Sequence, residues 1–130
     1  MGVKLYFDTN AAVWISGQET RQLMSRKALE AIASAEQLLI SPMAVFEMKA
    51  LHRKNKIGYT PAEIVMVLRE QLGVEVCSIP FSTIVSGAMG IHWTTDPGDI
   101  LITANAMVNG NAGLITSDRV IRANYDAAIW

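Results

Sequence analysis

Short apolar runs alternate with longer amphipathic stretches along this chain. Each run is rich in β-favouring side chains, which indicates buried strands at 3–7, 37–40, 75–79 and 112–116. Apolar residues at helical spacing between the runs predict helices at about 11–15, 20–35, 42–54, 61–72, 82–89 and 97–109. A last run at 127–130 is predicted to form an edge strand. The alternation therefore predicts an α/β protein with a parallel sheet of four to five strands and helices on both faces.

Proline marks three of these helix starts. Each follows a residue that can cap a helix, in the pairs Ser41-Pro42, Thr60-Pro61 and Asp96-Pro97. Proline at the first helical position sacrifices no hydrogen bond, so the pairs predict firm boundaries. Thr60 and Asp96 also have an acid three residues further on, the spacing of a capping box.

Composition limits the possible classes. The 130 residues are 51% hydrophobic and contain no linker, repeat or low-complexity segment, which predicts one domain over residues 1–130. A net charge of −1 lacks the positive field of a dedicated duplex-DNA binder, although nucleic acid is not excluded. The single cysteine, Cys77, excludes an intrachain disulfide and fits a reducing cytoplasm. No export signal, lipid anchor or membrane span is expected, because proline, glycine and asparagine interrupt both long uncharged stretches.

Four of the five aspartates lie where a predicted strand ends or a helix begins: Asp8, Asp96, Asp99 and Asp118. The carboxyl ends of parallel strands share one edge of the sheet, where ligands of open α/β folds bind. We therefore expect these carboxylates to lie close together. Helix capping is the ordinary alternative for an aspartate at a helix start, and the sequence leaves it open.

Glu47 lies in the middle of a predicted helix, on the same face as Ala44, Met48 and Leu51. Burying an unpaired carboxylate on an apolar face costs roughly several kcal/mol, unless the carboxylate is paired with a cation or bound to a metal. Its helix follows a strand directly, which places its first turns beside the edge that carries Asp8. The alternative is that Glu47 lies at the border of the apolar face and reaches water or a nearby Lys or Arg.

Carboxylates gathered in this way would favour cations. Two charges about 4 Å apart repel by roughly 4 kcal/mol at an effective dielectric constant near 20. A set of oxygen ligands without Cys or His favours Mg²⁺ or Mn²⁺. The two histidines, His52 and His92, lack the spacing of metal ligands.

Four segments in order, LYFDTN, SPMAVFEMKAL, DPGDILITANA and LITSD, resemble the acidic motifs of PIN-domain ribonucleases, most closely the VapC-type toxins of toxin–antitoxin pairs. The resemblance covers nearly the whole chain. It implies a compact parallel sheet, dependence on Mg²⁺ or Mn²⁺, hydrolysis of RNA and a cognate antitoxin protein as partner. Competing classes fit less well, since dehalogenase-like phosphatases need an acid where this chain has Asn10, and no glycine-rich phosphate loop is present.

The resemblance also assigns roles to residues. It implies catalytic roles for Asp8, Glu47, Asp99 and Asp118, and metal binding by the three aspartates among them together with Asp96. The polar neighbours would bond to these acids or to a phosphate, and the resemblance makes them candidate substrate-binding residues: Thr9, Asn10, Thr116, Ser117 and Arg119. Ile100 and Ser117 depart from the pattern, because many toxins have a basic residue at each of these places.

Positive charge for RNA is available near the end of the Glu47 helix, in a basic cluster of Lys49, His52, Arg53, Lys54 and Lys56. Favourable interaction with the helix dipole is the other explanation for that cluster. With 18% charged residues, the chain is expected to bury further apolar surface against a partner or in a homodimer. The function predicted is a cytoplasmic endoribonuclease, and the alternative is a catalytically silent PIN-like module that binds RNA or protein.

Overall fold

The computed structural model describes residues 2–130. Within this range, five short strands form one parallel sheet in the order β3-β2-β1-β4-β5. The strands are β1 (Lys4–Phe7), β2 (Gln37–Ile40), β3 (Glu75–Val76), β4 (Gly113–Ile115) and β5 (Ala128–Ile129). The α/β class and the parallel sheet predicted from the sequence are confirmed.

Seven α-helices connect and follow these strands within the described residues. They are α1 (Thr9–Ser16), α2 (Arg26–Ser34), α3 (Pro42–Arg53), α4 (Pro61–Leu72), α5 (Phe81–Ala88), α6 (Pro97–Val108) and α7 (Arg119–Asn124). The chain steps from β1 through β2 to β3 on one side of β1, and from β4 to β5 on the other side. Right-handed crossovers in these two directions place helices on opposite faces of the sheet.

The strand order reverses between β1 and β4, and the register aligns their ends. Phe7 pairs with Ile40 of β2 and with Ile115 of β4. The next backbone N–H, that of Asp8, donates to the Ile115 carbonyl at 3.0 Å. The carboxyl ends of the three central strands therefore open at one place, the switch point where open α/β sheets bind ligands.

The core forms around β1, whose Leu5, Tyr6 and Phe7 are all buried. Both faces of the central strand are covered, as a parallel sheet requires. The Tyr6 hydroxyl lies in this core and donates to the thiol of Cys77 at 3.0 Å. Cys77 is thus a buried free thiol.

Most predicted boundaries lie within a few residues of those observed, but two predictions are wrong. The single helix predicted over residues 20–35 is divided into a 3₁₀ turn (Thr20–Leu23) and α2, because the Ser25 hydroxyl accepts the Ala28 N–H and starts a new helix. The strand predicted over residues 75–79 pairs only at Glu75–Val76. The capping box at Thr60 is present, with both of its hydrogen bonds.

No helix within residues 2–130 has the length and apolar character needed to span a membrane.

Candidate functional site

Three of the predicted acids cap helices. Asp8 Oδ1 accepts the Ala11 N–H at 2.8 Å and so begins α1. Asp96 Oδ1 accepts the N–H of Asp99 at 2.9 Å at the start of α6, and Asp118 begins α7 in the same way. Each cap uses one carboxylate oxygen; the other accepts the Thr116 hydroxyl in Asp8 and accepts no hydrogen bond from the described residues in Asp96 and Asp118. Capping and ligand binding are therefore compatible for these aspartates.

The acids converge on one pocket at the switch point of the sheet. The pocket has a volume of about 380 Å³. Five carboxylates line it, from the ends of β1 and β4, the middle of α3 and the start of α6: Asp8, Glu47, Asp96, Asp99 and Asp118. The structure therefore brings these carboxylates together, as the sequence predicts.

Two threonine hydroxyls hold two of these carboxylates. Thr9 is 7% exposed and donates to Glu47 Oε1 at 2.5 Å. Thr116 is fully buried and donates to Asp8 Oδ2, while its oxygen accepts the Asp118 N–H at 3.0 Å. Of the two uses expected for these threonines, a bond to an acid or to a phosphate, the hydrogen bonds favour the first.

Burial and mutual repulsion alter the acidity of two carboxyls. Burial, with smaller contributions from Asp118 and Glu47, raises the pKa of Asp8 to about 6, although its hydrogen bonds act in the opposite direction. The pKa of Asp99 is also raised to about 6. Burial makes the largest contribution, and repulsion from the neighbouring Asp96 carboxylate makes the next largest. The ionised forms of Asp8 and Asp99 are therefore destabilised in this pocket, and a bound cation would stabilise them.

The donor set fits a hard divalent ion. No carboxylate of the pocket is paired with a cation from residues 2–130, where Arg69–Glu75 is the one ion pair. The Asp99 carboxylate accepts no hydrogen bond from the described residues, which leaves both of its oxygens available. Over the same range, no three Asp, Glu, His or Cys side chains are arranged as a ready-made metal site.

The remaining predicted residues divide into two groups. Asn10 and Ser117 line the pocket, whereas Arg119 is exposed and lies outside its lining. Lys54, a member of the predicted basic cluster, also lines the pocket. The sequence did not distinguish Lys54 from its basic neighbours. Lys54 is the residue directly after the last turn of α3, and the exact end of a helix is difficult to predict from sequence.

This is an α/β protein with the parallel order β3-β2-β1-β4-β5 and acids at the carboxyl edge, and its architecture matches a PIN-like fold. Two solved structures share this fold over 97% of the chain and 96% of their own. They are VapBC2 from Rickettsia felis bound to a DNA fragment from its promoter, with a TM-score of 0.63, and VapBC-1 from nontypeable Haemophilus influenzae, with 0.61. Each is 16% identical to this chain, so the likeness establishes the fold.

No protein-family model matches the sequence, and no curated protein matches it.

Proposed function

We propose that this protein is an Mg²⁺- or Mn²⁺-dependent endoribonuclease that acts as the toxin of a toxin–antitoxin pair. The observation that carries the proposal is the pocket at the switch point, where five carboxylates from four segments meet without a cationic partner from the described residues. The VapBC neighbours support the same conclusion, since they have this fold.

Three aspartates would hold the ion. Asp99 is the least committed of them, Asp118 uses only Oδ1 for its cap, and Asp8 would bind the ion through lone pairs that remain on oxygens already bonded to Ala11 and Thr116. Asp96 lies beside Asp99 and would complete the set directly or through water. A bound divalent ion supplies charge compensation for the phosphate and makes water a stronger acid near neutral pH.

Glu47 faces the same pocket and would ligate the ion or orient the attacking water. In the proposed reaction a water molecule gives up one proton to solvent as its oxygen bonds to phosphorus, the bond from phosphorus to the 3′ oxygen breaks, and the 3′ oxygen takes up a proton from solvent. Because water and not the ribose 2′-hydroxyl attacks, the fragments should carry a 5′ phosphate and a 3′ hydroxyl. A 2′,3′-cyclic phosphate would contradict this mechanism.

Lys54 is the residue that we propose for contact with the RNA backbone. Its side chain lines the pocket together with the acids, yet it forms no ion pair with them within residues 2–130. When carboxylates are neutralised by a divalent ion, a neighbouring lysine is left to attract the phosphate next to the one being cleaved. Asn10 and Ser117 supply neutral polar groups on the same wall.

A protein partner of the VapB type is part of the proposal, because both structural neighbours are VapBC complexes. A second groove of about 320 Å³, almost entirely apolar, lies between α3, α5 and α6. Phe46 and Phe81 border it and are 64% and 63% exposed. An amphipathic helix of the partner would bury these rings.

The homodimer and the cytoplasmic location stay predictions. Sedimentation equilibrium would test the homodimer.

The proposal is tested by cleavage of a structured RNA in Mn²⁺, with the wild type, Asp99→Asn and Asp126→Asn. Asp126 is exposed and outside the pocket lining, so its variant controls for the loss of one aspartate charge. We expect the wild type and Asp126→Asn to cleave the RNA at similar rates. The cleavage rate of Asp99→Asn should be at least about a hundredfold lower, because the variant lacks a metal ligand.

Equal cleavage by the wild type and Asp99→Asn would indicate a contaminating nuclease and contradict the assignment. RNA binding without cleavage, in Mg²⁺ and in Mn²⁺, would support the alternative of a silent PIN-like module.

A further inference from the structure

The Glu47 carboxylate is confined from two sides. On one side the Thr9 hydroxyl donates to Oε1 at 2.5 Å. On the other side Oε2 lies against the backbone of Gly98, the second residue of α6. The start of α6 carries a partial positive charge from its free N–H groups, which favours an anion at this place. Glu47 on α3 is thereby tied to the two segments that contribute Asp8 and Asp99.

Gly98 leaves the space that the carboxylate occupies. A Cβ at residue 98 would lie 1.9 Å from Glu47 Oε2 and 2.7 Å from its Cδ, and it would come within 3.2 Å of Asp96 Oδ1. Contacts below 3.0 Å are not tolerated by real Cβ atoms, so even an alanine would force Glu47 to move.

The backbone gives no other reason for a glycine at residue 98. The glycines with positive φ are Gly73 and Gly110, and Gly98 lies in an ordinary helical turn. Alanine is a better helix former than glycine in such a turn. The absence of a side chain at residue 98 is therefore explained by what lies against it.

We propose that Gly98 is a positioning residue for Glu47. Its missing side chain and the Thr9 hydroxyl together hold the carboxylate toward the start of α6, next to Asp96 and Asp99, before any ion is bound. The inference rests on the proposed function for its consequence, since a displaced Glu47 would weaken the binding of a divalent ion and slow the cleavage of RNA. It assigns Gly98 no contact with the substrate.

Gly98→Ala tests the inference, and Gly58→Ala is its matched control. A Cβ at residue 58 would meet nothing within 4 Å, and the φ of Gly58 is not positive. We expect Gly98→Ala to lower the affinity for Mn²⁺, measured by calorimetry, by about 10-fold or more, the usual effect of losing an outer-shell partner. Gly58→Ala should leave that affinity unchanged, and neither variant should lower the thermal unfolding midpoint by more than a few degrees.

A double-mutant comparison separates positioning from general damage. In a Glu47→Ala background the clash is gone, so Gly98→Ala should cause no further loss of Mn²⁺ affinity. In metal-free protein the same pair should couple in the unfolding midpoint: Gly98→Ala should raise the midpoint when Glu47 is replaced by alanine, and should raise it less or lower it slightly when Glu47 is present. Equal effects of Gly98→Ala in the two backgrounds, on affinity and on midpoint alike, would overturn the inference.

These measurements also separate the inference from the proposed function. If Mn²⁺ binds and RNA is not cleaved, the nuclease assignment fails, while the dependence of Mn²⁺ affinity on Gly98 is still decided. If the wild type binds no Mn²⁺, the metal-dependent function fails, and the coupling in the unfolding midpoint alone decides whether Gly98 makes room for Glu47.

Discussion

Thr116 donates its hydroxyl to the Asp8 carboxylate, although 108 residues separate the two in the sequence. The same oxygen accepts the N–H of Asp118 at 3.0 Å. Thr116 follows β4 directly and is fully buried, so one side chain joins the acid that ends β1 to the loop that carries the acid after β4. This contact fixes the distance between two proposed metal ligands.

Replacement of this threonine should weaken ion binding more than the volume change suggests. Thr116→Val keeps the shape and removes the hydroxyl, which leaves Asp8 Oδ2 and the Asp118 N–H without their partner. We expect a loss of about 1–3 kcal/mol in the free energy of unfolding, measured in urea. Mn²⁺ affinity, measured by calorimetry, should fall about 10- to 100-fold. Thr116→Ser keeps the donor and should bind within a few-fold of the wild type; a Thr116→Val protein that binds Mn²⁺ normally would refute this role.

Stability without metal should fall as the pH rises. The pKa values of Asp8 and Asp99 are raised from 3.8 to about 6 in the folded protein, so folding favours their protonated forms. That contribution is complete below about pH 4 and is lost as the pH rises through about 6. Between about pH 5 and pH 7.5 we expect the metal-free protein to lose about 2 kcal/mol, a value already reduced for solvent screening.

Thermal unfolding in EDTA across this pH range measures the effect. The double variant Asp8→Asn, Asp99→Asn should show a flatter profile. Mn²⁺ should restore stability near about pH 7.5 while binding weakly below about pH 6, where protons compete for the carboxylates. A wild-type protein that becomes more stable with rising pH in EDTA would contradict the expected direction.

Local signals in the sequence were sufficient for most of the fold. The pairs Ser41-Pro42, Thr60-Pro61 and Asp96-Pro97 mark the starts of α3, α4 and α6, because a cap and a first-turn proline act within a few residues. The prediction of one helix from Thr20 to Ala35 fails because the apolar stripe continues through the break. The cap at Ser25 interrupts the backbone there without interrupting the stripe.

The site was predictable in composition but not in arrangement. Asp8 and Asp118 follow strands, and the ends of parallel strands must meet, so their convergence follows from the fold class. The contact of Thr9 with Glu47, and the space that Gly98 leaves for that carboxylate, depend on how α3 packs against α1 and α6. Packing distances of this kind depend on many side chains at once, and no local motif encodes them.

The buried polar cluster around Tyr6 should be costly to disrupt. Its hydroxyl donates to Cys77 and accepts the side-chain amides of Asn109 at 2.8 Å and Asn105 at 3.3 Å. Burial raises the pKa of Tyr6 well above its usual range, so the phenol stays neutral and keeps its proton for Cys77. Tyr6→Phe would leave the amide donors without this acceptor, and we expect a loss of about 1–3 kcal/mol in urea unfolding.

Tyr59→Phe is the matched control for that experiment, because Tyr59 is 65% exposed and should change stability by less than about 0.5 kcal/mol. Equal stability of Tyr6→Phe and the wild type would contradict the expected cost of leaving these two amides without the acceptor.

Two lysines near the end of α3, Lys54 and Lys56, should contribute differently to RNA binding. Lys54 lines the acidic pocket, whereas Lys56 is exposed and lies outside its lining, so Lys54→Gln and Lys56→Gln remove the same charge at two places two residues apart. RNA binding is measured by fluorescence anisotropy at several salt concentrations in Mg²⁺, on an Asp8→Asn background that prevents cleavage. We expect Lys54→Gln to reduce the slope of log affinity against log salt by about 0.7, the value for one contact with single-stranded RNA. Lys56→Gln should change that slope by less than half as much.

In the active protein, Lys54→Gln should raise KM and leave kcat within a few-fold. If the two lysines contribute equally, the charge acts as a general field around the end of α3, and the assignment of Lys54 to a phosphate beside the scissile bond is wrong.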